Sequence, residues 1–119
     1  MEAFIKNIPH ETVVQLTDLV EVRPGEVVSR TLAQNEAVSI TLFAFDKGEE
    51  IGTHSSTGDA MVTVLEGTGR FTVGGKPYLV KAGETLVMPA GIPHAVYGEE
   101  AFKWLLTVVF PEGYQIRGE

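Results

Sequence analysis

Three histidines, His10, His54 and His94, are the chain's imidazoles, the side chains that ligate metals or carry protons near neutral pH. No cysteine is present, which removes disulfides, thiolate metal sites and cysteine nucleophiles. Two neutral imidazoles alone hold a divalent ion weakly; a carboxylate would add both charge and a further donor. The alternative use of such a pair is to line a pocket, hydrogen-bonded to each other or to water, as buried polar groups must be. Tyr97 offers a phenol for general-acid chemistry, but an offset of three from His94 sets the two on opposite faces of one strand. His10, beside Pro9 in an irregular stretch, reads as a surface residue. No G-x-S-x-G elbow, P-loop, G-x-G-x-x-G fingerprint or H-E-x-x-H pair occurs.

The elements that must position these histidines are short. Thirteen glycines and six prolines are spread along the chain, cutting it into alternating or β-branched segments, the pattern of strands. Strands are expected at Glu26–Arg30, Ala37–Phe45, Ala60–Glu66, Gly69–Val73, Lys76–Val80, Thr85–Met88, His94–Tyr97 and Phe102–Phe110. Gly74-Gly75 tolerates the positive φ values of a tight hairpin turn, and Pro24-Gly25 marks another turn. Helical periodicity is weak; Glu11–Val22 reads as irregular, with one turn near Thr17–Leu19. An all-β sandwich or small barrel follows. Phe43, Phe45, Phe71, Tyr78, Phe102, Trp104 and Phe110 fall within strands and are read as core or subunit-interface packing. The segment Ala37–Phe45 is apolar at both parities, so something besides solvent covers its second face, and a partner subunit is the economical cover. The last strand is also apolar on both sides, which leaves its inward parity open.

Length and charge bound the rest. At 119 residues the chain makes about one domain, domains commonly running to roughly 100–150 residues. A formal net charge of −7 argues against a nucleic-acid partner or an anionic membrane surface, since either would be repelled. The N-terminal residues lack the apolar core of a signal peptide, and no apolar run approaches a membrane span, so the expected compartment is the cytoplasm.

Two segments frame the histidines. The first runs from Gly48 through His54, Ser56 and Ala60 to Gly67; the second contains Gly83, Pro89, Gly91, His94 and Gly98. This pair resembles the two motifs of the cupin superfamily, G-x5-H-x-H-x3–4-E-x6-G and G-x5-P-x-G-x2-H-x3-N, in the right order and with a short stretch between. Gly48, His54, Gly67, Gly83, Pro89, Gly91 and His94 match. Ser56 stands where the second histidine is usual, Ala60 where the glutamate is usual, and Gly98 where the asparagine is usual. The resemblance implies a single-domain jelly roll, a double-stranded β-helix barrel. It places an irregular segment packed on the barrel or on a partner subunit at 1–25, the barrel at 26–111 and a tail at 112–119.

The family's usual site implies a divalent ion, iron, manganese, nickel or zinc, held by three histidines and a glutamate. Only His54 and His94 remain of those ligands, so any ion is expected to be weakly held. Asp59 is the nearest substitute carboxylate. It could turn inward only through a bulge at Thr57–Gly58, and its simpler role is a turn residue beside glycine. The pocket expected from the resemblance is therefore His54, Ser56, Ala60 and His94. The expected function is binding of a small polar molecule in the barrel by a homodimer with weak or no metal. The alternative is a metal-dependent oxygenase or isomerase in which His54 and His94 ligate the ion, with Asp59 or substrate atoms completing the shell.

Overall fold

The structure, a computed structural model, describes residues 3–112. The expected tail, 112–119, lies outside the described residues beyond Glu112. Among the described residues nine strands follow a short 3₁₀ turn at Leu16–Leu19: β1 (Val27–Gln34), β2 (Val38–Phe45), β3 (Glu50–His54), β4 (Asp59–Glu66), β5 (Thr68–Val73), β6 (Lys76–Lys81), β7 (Thr85–Met88), β8 (His94–Gly98) and β9 (Phe102–Val109). They form two antiparallel sheets, ordered β1-β2-β9-β4-β7 and β3-β8-β5-β6, the two-layer arrangement of a jelly roll. Among the described residues no helix is long and apolar enough to cross a membrane.

Strand-forming patterns map onto this scaffold with two differences. β3 was not among the eight expected strands, because Glu50-Ile-Gly-Thr-His carries one apolar residue and an internal glycine. β1 runs on to Gln34, four residues past the expected end at Arg30, because a bulge between Thr31 and Ala33 breaks its alternation and leaves Leu32 and Ala33 both buried. The hairpin between β5 and β6 turns on Gly74 (φ 58°) and Gly75 (φ 85°), with Val73 and Lys76 as the closing pair.

The space between the sheets is packed with rings. β9 sends Phe102, Trp104 and Val108 inward, which settles its parity. Trp104 stacks on Phe43 at 4.7 Å and meets Phe71 edge-on at 5.1 Å, and Phe45 tilts against Phe102 at 5.1 Å. Each fully buried ring of this kind contributes about 1.5–3 kcal/mol through burial alone. The indole Nε1 of Trp104 is enclosed by this cluster without a hydrogen-bond partner.

A second apolar layer lies outside the five-stranded sheet. Leu42 and Ala44 are fully buried there beneath Val20, with Leu16, Leu19 and Val22 packed alongside. The second face of Ala37–Phe45 is thus covered by the chain's own N-terminal segment, where the sequence pattern suggested a partner subunit. Lys103 ties that segment down by donating from Nζ to the Thr17 carbonyl at 2.6 Å.

Candidate functional site

His94 opens β8 and His54 closes β3, and the two stand directly opposite one another in the ladder. A bulge in β3 makes this so. Ile51 faces Val96, and on a regular ladder Thr53 would face His94; the extra residue between Ile51 and His54 brings the histidine into that place. Residues directly opposite on an antiparallel pair share a face, so both rings project to the same side. Their Nε2 atoms lie 3.2 Å apart, with ring centroids at 4.4 Å and planes at 75°.

Three hydrogen bonds, two of them between main-chain groups, fix the loop that delivers His94. Gly91 donates to the Ser56 carbonyl at 2.8 Å, Gly74 to the Pro93 carbonyl at 2.8 Å, and Ala90 to Asp59 Oδ1 at 2.8 Å. Pro89 and Pro93 further restrict the backbone on either side. His94 is consequently held at 4% exposure, while His54 is exposed at the rim.

The proton arrangement follows from the acceptors. His54 Nδ1 lies 2.9 Å from the Gly52 carbonyl, which can only accept, so the neutral ring carries its proton on Nδ1. His54 Nε2 is therefore a lone pair, and His94 Nε2–H donates to it. That leaves His94 Nδ1 buried and outside good hydrogen-bond geometry. Burial, followed by the neighbouring His54 ring, pushes the His94 pKa below the ordinary imidazole value of 6.5, while the Ile92 backbone acts the other way.

The remaining expected site residues are placed as follows. Ser56 is half-buried, and its Oγ accepts the Gly58 amide at 3.1 Å in a local turn. Ala60 is buried on the inner face of β4, across from Met88 and Val108. Its neighbour Asp59 is exposed, with its carboxylate on the Ala90 amide. Tyr97 stands on the outer face, where the Arg70 guanidinium lies 4.4 Å over its ring and also pairs with Glu99 at 2.8 Å. His10 is exposed, its Nε2 2.6 Å from the Ile5 carbonyl. Among the described residues no group of three or more His, Asp or Glu side chains is gathered closely enough to hold a metal ion.

The family model for the cupin domain matches residues 41–109, more than half of the chain and both histidine strands. The chain is a cupin. Similar solved structures agree with that. A conserved protein of unknown function from Streptococcus pyogenes is 51% identical, covers 93% of this cupin and 97% of its own chain, and superposes with a TM-score of 0.91. A cupin superfamily protein from Desulfitobacterium hafniense is 32% identical over 92% of this chain and 100% of that one, at a TM-score of 0.86. A Cupin 2 conserved barrel domain protein from Leptotrichia buccalis is 46% identical over 78% of this chain and 45% of that one, at 0.77. No curated protein matches the sequence.

Whether a resident ion fits this cupin can be tested on its donors. The two Nε2 atoms are spaced like neighbouring corners of a coordination shell with bonds of about 2.0–2.1 Å. Beyond those two, the hydroxyl of Ser56 is engaged by Gly58, Ala60 has no donor atom, and among the described residues no carboxylate joins them. The usual four-ligand centre does not fit these residues.

Proposed function

We propose that this cupin binds a small polar molecule at the rim of its barrel, on the His54–His94 pair, and holds no metal tightly of its own. The supporting observation is the 3.2 Å contact between two imidazole Nε2 atoms that satisfy each other with a single shared proton. A ligand replacing that contact meets one acceptor and one donor, a pattern suited to a hydroxyl, an acid or an enol. The interior below the histidines is filled by Phe71, Trp104 and Phe102, so the ligand sits at the mouth and is small. Asp59 serves in this reading as a loop staple, not as a ligand.

The test is elemental analysis of untagged protein together with a ligand screen followed through the histidine ring protons. Less than a tenth of an equivalent of transition metal, with ring shifts lost in His94→Ala, supports the reading. A full equivalent of metal that co-purifies and is lost in His54→Ala sinks it in favour of a metal-dependent enzyme. That second reading draws on the same Nε2 spacing, which suits two adjacent ligands of one ion.

The same reading has the protein working as a homodimer. Phe4 is 83% exposed and Val13 fully so, in the N-terminal segment running beside the β1 edge, and a second copy would cover them. Sedimentation equilibrium at micromolar concentration tests this, with a monomer as the contrary result.

A further inference from the structure

The N-terminal segment covers only part of the outer face of the five-stranded sheet, the part at Leu42, Ala44 and Leu105. One step along the strands, Ala33, Ile40, Thr107, Met61 and Val87 pair in turn from β1 across to β7 and so share that face. Val38 and Val109 pair in the row beyond. None of these seven side chains is charged, and Met61, Val87 and Val109 are exposed. An outer row of the four-stranded sheet, Glu50, Tyr97, Arg70 and Leu79, carries both signs of charge instead. At the β1 end the N-terminal arm extends the uncharged row. Lys6 donates its amide to the Leu32 carbonyl at 2.8 Å, and Phe4 and Ile5 beside it are exposed. Asn7 Nδ2 on the Thr31 carbonyl at 2.7 Å and the His10 ring on the Ile5 carbonyl fix the arm in this position. An apolar surface held this firmly is already arranged for contact.

We propose that two copies of the chain pack on this uncharged row, about a two-fold axis that runs along it. This rests on the homodimer reading above and assigns the surface. A residue on such an axis meets its own counterpart, so any charge there would face a like charge. Ala33, Ile40, Thr107, Met61 and Val87 bring none, whereas Glu50 and Arg70 exclude that row of the other sheet. A foreign partner for a chain of net charge −7 would be selected by charge, and this row offers no charge to read. The N-terminal segment selects the axis. It rides over Leu42 and Leu105, to one side of the row. An axis parallel to the strands would set the two copies' segments on top of each other and hold the rows apart. An axis along the row sends them to opposite sides, each over Val38 and Val109 of the other copy. Both apolar features, row and arm, are then covered by one symmetric contact.

Sedimentation equilibrium on the full chain tests this through charge substitutions. Met61→Glu should weaken the dimer by about a hundredfold or more, and Met61→Lys likewise, because each sets a like pair across the axis. Mixing the two variants should restore association at the wild-type concentration, since a carboxylate then meets an ammonium. Leu79→Glu, also at an exposed position but on the other sheet, should leave the dimer unchanged. Val87→Glu and Val87→Lys, on the exposed edge strand, repeat the test, and near-ultraviolet circular dichroism checks that each variant keeps its fold. A dimer that survives both Met61→Glu and Val87→Glu overturns the proposal and leaves the homodimer reading intact. Glu and Lys variants that each dissociate and stay apart when mixed overturn the axis, and the proposal with it. A wild type that is monomeric at micromolar concentration overturns both readings.

Discussion

Asp59 Oδ1 holds the amide of Ala90 at 2.8 Å, joining the start of β4 to the loop that delivers His94. A parallel tie from Gly91 to the Ser56 carbonyl lies beside it. The residue nearest to a missing carboxylate ligand is thus spent on shape. It carries the β4–β7 pairing, whose ladder ends at Ala60 and Met88, one tie further into the loop before β8.

Asp59→Ala should therefore loosen the rim more than the barrel. The lost hydrogen bond to a charged acceptor, at an exposed position, is expected to cost about 1 kcal/mol by urea unfolding. Hydrogen exchange at Ala90 and Gly91 should quicken, with β5 and β9 unchanged. Metal content should not move. A variant whose amide exchange is unaltered at Ala90 would contradict the stapling role.

Protonation of His94 is linked to stability in a direction that can be worked out. Its folded pKa lies below the ordinary value of 6.5, so at intermediate pH the unfolded chain binds more protons than the folded one. Stability is then fully present above pH 6.5 and is lost as the pH falls from there through the depressed folded pKa. His94→Gln, which stays neutral, should flatten that part of the profile. Denaturation midpoints between pH 5 and pH 8 read it out; a wild-type profile as flat as the variant's would refute the linkage.

The assigned tautomers are directly measurable. Long-range proton–nitrogen correlation at pH 8 should show His54 protonated on Nδ1 and His94 on Nε2. In His54→Ala the His94 Nε2–H loses its acceptor, and its exchange with water should accelerate. Finding His54 protonated on Nε2 would reverse the donor and acceptor of the pair.

What was legible in the sequence depends on alternation. β2 and β4 to β9 announce themselves by apolar runs between glycine turns, and the motif positions point to His54 and His94. β3 does not, since it is an edge strand with one apolar side chain, Ile51, and a bulge. That bulge also decides that His54, and not Thr53, faces His94, so the 3.2 Å contact has no counterpart in residue spacing. Two-sided apolarity in β2 was visible, but nothing local tells a strand whether Val20 of its own chain or another subunit will cover Leu42. Asp59 shows the same limit: the glycine beside it suggests a local turn, yet its carboxylate accepts the amide of Ala90, which is distant in the chain.

Lys103 fastens the N-terminal segment to the sheet. Its ammonium donates to Thr17 O at 2.6 Å and lies 3.9 Å from Glu66 Oε2, with its side chain only 16% exposed. Lys103→Met keeps the stem's packing but leaves the Thr17 carbonyl without that donor, at an expected cost of about 1–2 kcal/mol. Proteases should then cut within the first 22 residues sooner than in the wild type. Equal cleavage rates would show that Val20 and its neighbours hold the segment unaided.

Gly69 gives the sharpest test of the packing beneath the site. It lies on the inner face of β5, where the ring of Phe102 occupies the space a side chain would need and the Phe71 ring would stand 2.9 Å from an added Cβ. Both rings are fully buried against Trp104, so neither can swing away without displacing the indole. Gly69→Ala should cost about 1–3 kcal/mol as overpacking, and the near-ultraviolet circular dichroism of Trp104 should change with it. Gly75→Ala, at an open turn, should lose stability through its positive φ while leaving the Trp104 signal untouched. If both variants altered the indole signal alike, the aromatic cluster would not be the rigid floor on which the His54–His94 rim is built.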